Sequence, residues 1–183
     1  RAKDIKRNLQ LNVGEAYSKH SKEIGDFLKN NHAFQLYCLP KKIFSILFSR
    51  TGVEGFYGPH CDMPYSPVGR RDLSFTLFLN EPSEYDGGEL ILNIPPMRKS
   101  IKLNAGEIIV YPTKYLHEVS KVSKGERIVC VGWIHSQVSD DTDRETLYNL
   151  RIALAELKKL NNTQSIVEKV NLTYFNLYKR FLD

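Results

Sequence analysis

Cysteine is scarce in this chain of 183 residues: Cys38, Cys61 and Cys130 are odd in number and show no Cys-x-x-Cys spacing. Neither a disulfide framework nor a structural zinc ribbon is supported, and a reducing, cytoplasmic compartment is the expectation. Long apolar runs are missing too. No stretch approaches the roughly 18 residues of a membrane-crossing helix, so no membrane partner is expected. Blocks of one charge are absent: the formal net charge of +5 is spread over Lys41-Lys42, Arg70-Arg71, Lys158-Lys159 and single positions. That scatter reads as solvated surface and argues against a nucleic-acid partner. The chain also opens Arg1-Ala2-Lys3-Asp4, without Met or an apolar signal segment, which points to a processed or trimmed start.

What is present suits a globular domain, with 42% hydrophobic and 26% charged residues. One domain is expected over 1–183: helical N-terminal support over 1–40, a β core over 42–135 and C-terminal helices over 141–183. Val13, Ala16, Tyr17, Ile24, Phe27 and Leu28 recur at helical spacing and predict one amphipathic helix, with His20 a boundary residue on its apolar face rather than a ligand. After Pro40, residues 42–49 read as a buried strand. In 71–80, Leu73, Phe75, Leu77 and Leu79 alternate with Ser74, Thr76 and Phe78, whose smaller and more polar face would suit a cavity.

Short strands follow over 89–94, 99–103, 107–111, 116–122 and 127–134, separated by Pro95-Pro96, Asn104-Ala105-Gly106, Pro112-Thr113 and Lys124-Gly125. Regular turn signals between short strands predict an antiparallel sandwich or barrel. Tyr85-Asp86-Gly87-Gly88 is read as turn chemistry alone. The last two strands read as a hairpin turning near 123–126. His135 is read as packing or surface.

Beyond the sheet, Thr142-Asp143-Arg144-Glu145 fits a capping box ahead of a Leu147, Leu150, Leu154, Leu157 stripe. Asn161-Asn162 breaks it before a second amphipathic helix carrying Ile166, Val167, Val170, Tyr174, Leu177, Tyr178 and Phe181. This pair would cover the sheet or form a homodimer contact. The sequons at Asn161 and Asn171 are read as chance.

The chemistry concentrates between Tyr57 and Arg127. His60 and Asp62, at i and i+2 of an extended segment, point together while Cys61 points away. His117, at the end of a later β-like run, can bring a third donor. Two histidines and one carboxylate on one side of an octahedral metal leave three positions open, as in non-haem Fe(II) oxygenases. Arg127, ten residues beyond His117, adds a guanidinium fork able to hold a carboxylate in bidentate fashion. On neighbouring strands, His117 and Arg127 would leave about the length of a five-carbon diacid between metal and guanidinium, at roughly 3.3 Å per residue. The plainer reading of Arg127 is a turn cap, or a partner of Glu126 or Glu118. A zinc hydrolase could use the same donors, but no His-Glu-x-x-His arrangement supplies its base.

Gly58-Pro59-His60-Cys61-Asp62, Arg71-Asp72-Leu73-Ser74-Phe75-Thr76-Leu77-Phe78-Leu79-Asn80, Tyr85-Asp86-Gly87-Gly88-Glu89-Leu90, Tyr111-Pro112, Leu116-His117-Glu118-Val119 and Gly125-Glu126-Arg127 together resemble the prolyl 4-hydroxylase-like Fe(II)/2-oxoglutarate dioxygenases. The nearest group is the PKHD-type hydroxylases, over roughly 45 to 150. The resemblance implies a mainly β fold with flanking helices, a double-stranded β-helix or jelly roll with an N-terminal helix and a C-terminal helical hairpin. It implies His60, Asp62 and His117 as ligands of Fe(II), with Arg127 completing the catalytic set as the anchor of 2-oxoglutarate. O2 would be co-reactant, ascorbate an accessory reductant, and succinate and CO2 products. The implied substrate is a prolyl or other peptidyl C–H bond of a peptide or protein. A small-molecule hydroxylase, a nucleic-acid demethylase and a non-catalytic jelly-roll module stay open as alternatives. The chain departs from the family pattern at Thr51, where many members carry a tyrosine, at Phe78, where some prolyl hydroxylases carry a cosubstrate-binding tyrosine, and at Met63-Pro64-Tyr65-Ser66-Pro67.

Overall fold

The computed structural model describes residues 5–182. Side-chain alternation along Leu73–Phe78 decides the layering of the molecule. Leu73, Phe75 and Leu77 bury with Leu28, Phe34, Cys38, Ile46, Cys130 and Ile134 in one apolar cluster. Ser74, Thr76 and Phe78 therefore face the opposite side, into the space between two sheets, as their smaller and more polar character predicts. The strand ends at Phe78, which leaves Leu79 exposed.

The strands, in chain order, are β1 Lys6–Arg7, β2 Leu9–Leu11, β3 Pro40–Thr51, β4 Phe56–His60, β5 Tyr65–Ser66, β6 Gly69–Arg70, β7 Leu73–Phe78, β8 Tyr85–Gly87, β9 Leu90–Ile94, β10 Met97–Ile101, β11 Ile108–Pro112, β12 His117–Val119, β13 Val122–Gly125 and β14 Arg127–Ser136. One five-stranded sheet runs β11-β7-β14-β3-β2 and the second β1-β4-β12-β9-β10; β13-β8 and β5-β6 are small ribbons. All pairings are antiparallel, giving a mainly β jelly-roll sandwich with flanking helices.

Helices α1, Glu15–Asn30, and α2, His32–Cys38, cover the outer face of the first sheet through Leu28, Phe34 and Cys38. Where one helix was expected there are two, because Asn31 adopts an extended conformation and its side chain accepts from Phe34 N. At seven residues, α2 is too short to leave a periodic signature. The support expected to be helical over 1–40 also contributes β1 and β2, one edge strand to each sheet.

Helices α3, Asp141–Leu157, and α4, Gln164–Phe181, pack through Val138, Leu147, Leu154, Val167 and Tyr174. Burial of each leucine contributes about 1.5–3 kcal/mol. The cap of α3 is not the expected Thr142: Asp140, two residues further back, accepts from Thr142 N and Asp143 N and satisfies two end donors. Ile166 of the predicted stripe is exposed.

The expected terminal hairpin does not form. β13 pairs with β8, matching Gly125 to Tyr85, while β12 and β14 belong to different sheets. Gly125 does turn the chain, with φ +69°, but a Cβ there would meet Glu84 O at 2.1 Å. Its role is close approach to β8 before the chain crosses to the other sheet. Among the described residues, no helix is long and apolar enough to cross a membrane.

Candidate metal centre and anion pocket

His60 ends β4 and His117 opens β12, and the two are register partners across the sheet. Asp62 follows two residues after His60, and the three donor groups offer atoms within 4.8 Å of one another. Each imidazole is oriented by its own strand. His60 Nδ1 lies 2.9 Å from Gly58 O and His117 Nδ1 2.9 Å from Tyr115 O. A carbonyl only accepts, so Nδ1 donates in both rings and Nε2 is the atom turned towards the cluster. Both Nε2 atoms lie 3.8 Å from Asp62, His60 to Oδ1 and His117 to Oδ2. Those spacings are too long for hydrogen bonds and leave room between the donors.

Burial pushes the His60 pKa below its ordinary value, and the neighbouring His117 adds to the effect. His60 is therefore neutral at pH 7 and does not form an ion pair with Asp62. Tyr57 stacks on the His60 ring, with centroids 3.7 Å apart. This donor set, two imidazoles with a carboxylate and an open side, is able to hold a divalent metal.

Asp62 is held from the other sheet. Its Oδ2 accepts from Ser74 Oγ on β7 at 3.1 Å and from Trp133 Nε1 on β14 at 2.9 Å. Ser74 Oγ also lies 2.9 Å from Thr113 Oγ1, and both residues are buried. One carboxylate oxygen is thus fixed by two donors while Oδ1 stays open towards the donor cluster.

Arg127 opens β14 opposite Thr51 of β3 and is 3% exposed. Among the described residues no Asp or Glu pairs with it, and its Nε has no partner. Desolvation lowers its pKa to about 10, against the opposing influence of the Tyr85 and Tyr111 phenols, so it remains charged at neutral pH. The guanidinium lies 5.4 Å from the centroid of Phe78, which is fully buried. A buried cation without an anion is costly, and its environment fits a ligand carboxylate. The reading of Arg127 as partner of Glu126 or Glu118 is excluded, because Glu126 pairs with Arg50 and Glu118 with Arg98.

The Arg71 guanidinium lies 4.2 Å from the Trp133 ring centroid and reaches Met63 O through one terminal nitrogen, while its buried Nε has no partner among the described residues. Cys61 points away, towards Lys114 O, as expected. His20 lies outside the site, bonded to Glu23 on the surface of α1. His135 packs against Gly69 of the β5-β6 ribbon. Sequence reasoning missed Ser74 and Trp133 as supports of Asp62, and Tyr85 as a neighbour of Arg127. The signal for Ser74 was the polar face of its strand; Trp133 and Tyr85 gave none, since a lone aromatic reads as core.

Residues 46–135 match the family model of the 2OG-Fe(II) oxygenase superfamily. A PKHD-type hydroxylase of Prochlorococcus marinus (strain MIT 9211) is 40% identical over 183 residues, covering 100% of this chain and 83% of the relative. Another, from strain NATL1A, is 41% identical over 186 residues, covering 100% and 83%. In fold, the chain is similar to a Pseudomonas putida prolyl-4-hydroxylase, with a TM-score of 0.57 and 21% identity over 73% of this chain and 74% of that one.

Proposed function

The chain belongs to the 2OG-Fe(II) oxygenase superfamily, among its PKHD-type hydroxylases, and on that premise we propose that it hydroxylates an unactivated C–H bond of a prolyl or other peptidyl residue. His60, Asp62 and His117 hold Fe(II), and Arg127 holds the distal carboxylate of 2-oxoglutarate. When bound, these groups supply O2-activating redox chemistry: oxidation of 2-oxoglutarate to succinate and CO2 provides two electrons, and one oxygen atom enters the substrate.

The observation that carries this reading is the pairing of a convergent His-Asp-His cluster with a buried arginine that has no carboxylate partner among the described residues. A zinc hydrolase or a plain binding module has no use for that arginine. The chain's own residues orient and exclude. Nδ1–H bonds fix both imidazoles, Ser74 and Trp133 fix one oxygen of Asp62, and the ring of Phe78 keeps water from the guanidinium.

The test is anaerobic addition of Fe(II) and 2-oxoglutarate, followed by the visible charge-transfer absorption, then O2 with succinate quantified in the presence of proline-containing peptides. The expected outcome is absorption, and succinate release that peptide increases and His60→Ala abolishes. Absence of both from folded, metal-loaded protein refutes the oxygenase reading. Succinate release that free amino acids or small acids stimulate better than peptide refutes the substrate class alone.

A further inference from the structure

Arg127 reaches its pocket beside an aromatic wall that has no hydroxyl, since Phe78 presents only a ring. A carboxylate held there would need another donor for its remaining lone pairs. One is present. Tyr85 is 1% exposed, and its hydroxyl has no hydrogen-bond partner among the described residues. Buried phenols normally find one, so an orphaned hydroxyl marks a missing acceptor. Resting on the cosubstrate assignment above, we propose that Tyr85 is a second anchor of 2-oxoglutarate, its phenol donating to the distal carboxylate that Arg127 grips.

Two features bring these side chains together. Tyr85 is the register partner of Gly125, and Arg127 follows two residues on. The two side chains also close over one point, Gly88, where a Cβ would meet Tyr85 Cε2 at 3.1 Å and Arg127 Cδ at 3.2 Å. Gly88 is itself at φ +68°, so both the backbone and the space require glycine. The remaining face of the phenol ring is held from outside. Lys102 Nζ lies 4.0 Å from the ring centroid and donates to Tyr85 O at 2.5 Å. Burial raises the pKa of Tyr85 while Arg127 opposes the rise, so the hydroxyl keeps its proton at neutral pH and is a donor.

The test compares two five-carbon acids on anaerobic, Mn(II)-loaded protein by equilibrium dialysis: 2-oxoglutarate, and 2-oxovalerate, which lacks the distal carboxylate. Tyr85→Phe removes only the oxygen. Its expected effect is a roughly tenfold or greater loss of 2-oxoglutarate affinity, with 2-oxovalerate affinity unchanged. Phe78→Tyr added to Tyr85→Phe is expected to restore part of the loss by returning a phenol to the other wall. Equal binding of 2-oxoglutarate by wild type and Tyr85→Phe overturns the assignment of Tyr85 and leaves the cosubstrate reading intact. Parallel loss of both acids overturns it in favour of a packing role. A wild-type protein that does not distinguish the two acids overturns the cosubstrate reading itself.

Discussion

Trp133 donates its indole N–H to Asp62 Oδ2 at 2.9 Å, so the single tryptophan of the chain touches a carboxylate of the candidate metal cluster. Its emission is therefore a local gauge of metal loading. Adding Fe(II) or Co(II) anaerobically is expected to quench Trp133 fluorescence, and His60→Ala and His117→Ala are expected to abolish the saturable part. A quench that persists in both variants would show that the ion binds elsewhere.

Ser74→Ala and Trp133→Phe each free one side of Asp62 Oδ2 without removing a donor atom from the cluster. The expected cost is about 10–100-fold in Mn(II) affinity, typical of groups that orient a ligand. Calorimetric titration checks it, and unchanged affinity in both variants would mean that Asp62 is held by its backbone alone.

Arg127 carries a charge into the interior without an acidic partner among the described residues. Replacing it with an apolar chain of similar length, Arg127→Met, is expected to raise the stability of the metal-free protein by about 1 kcal/mol or more while lowering 2-oxoglutarate affinity roughly a hundredfold. Arg127→Lys is expected to recover only part of that affinity, because an ammonium lacks the planar fork. Thermal unfolding and dialysis together test this, and a less stable Arg127→Met would mean that the guanidinium is structurally satisfied.

His60 titrates below its ordinary value in the fold. The unfolded chain therefore takes up this proton first, so its contribution to stability is present above about pH 6.5 and is lost as the pH falls through the lowered value. Metal binding is expected to weaken in the same window, since the proton competes for Nε2. Urea unfolding of wild type and His60→Asn across that range gives the readout. Identical pH dependence in the two would exclude His60 as the source.

Much of this centre was legible in the sequence because its parts are local. His60 and Asp62 need only the two-residue period of an extended chain, and the polar face of β7 follows from alternation of Ser74 and Thr76 with leucine and phenylalanine. Pairing was not legible. The run 116–134 reads as two strands and a turn, yet β12, β13 and β14 take three different sets of partners. Alternation assigns a face to each strand and says nothing about which neighbour it meets. His117 and Arg127 consequently lie on opposite sheets, not on adjacent strands, and the expected span between them had the wrong scaffold. The cap of α3 was missed by two residues because Asp140, Thr142 and Asp143 all suit a helix start, and only three-dimensional geometry chooses among them.

The origins of the three donors have a mechanical consequence. His60 and His117 are carried by β4 and β12 of one sheet, whereas the Asp62 carboxylate is latched to β7 and β14 of the other. An ion bound among them acts as a rivet through the sandwich, resisting the hinge-like parting of its layers. Amide hydrogens along β4 and β12 should accordingly exchange more slowly when metal is added, and that protection should fade in Ser74→Ala, where the rivet still closes on one layer but has loosened from the next.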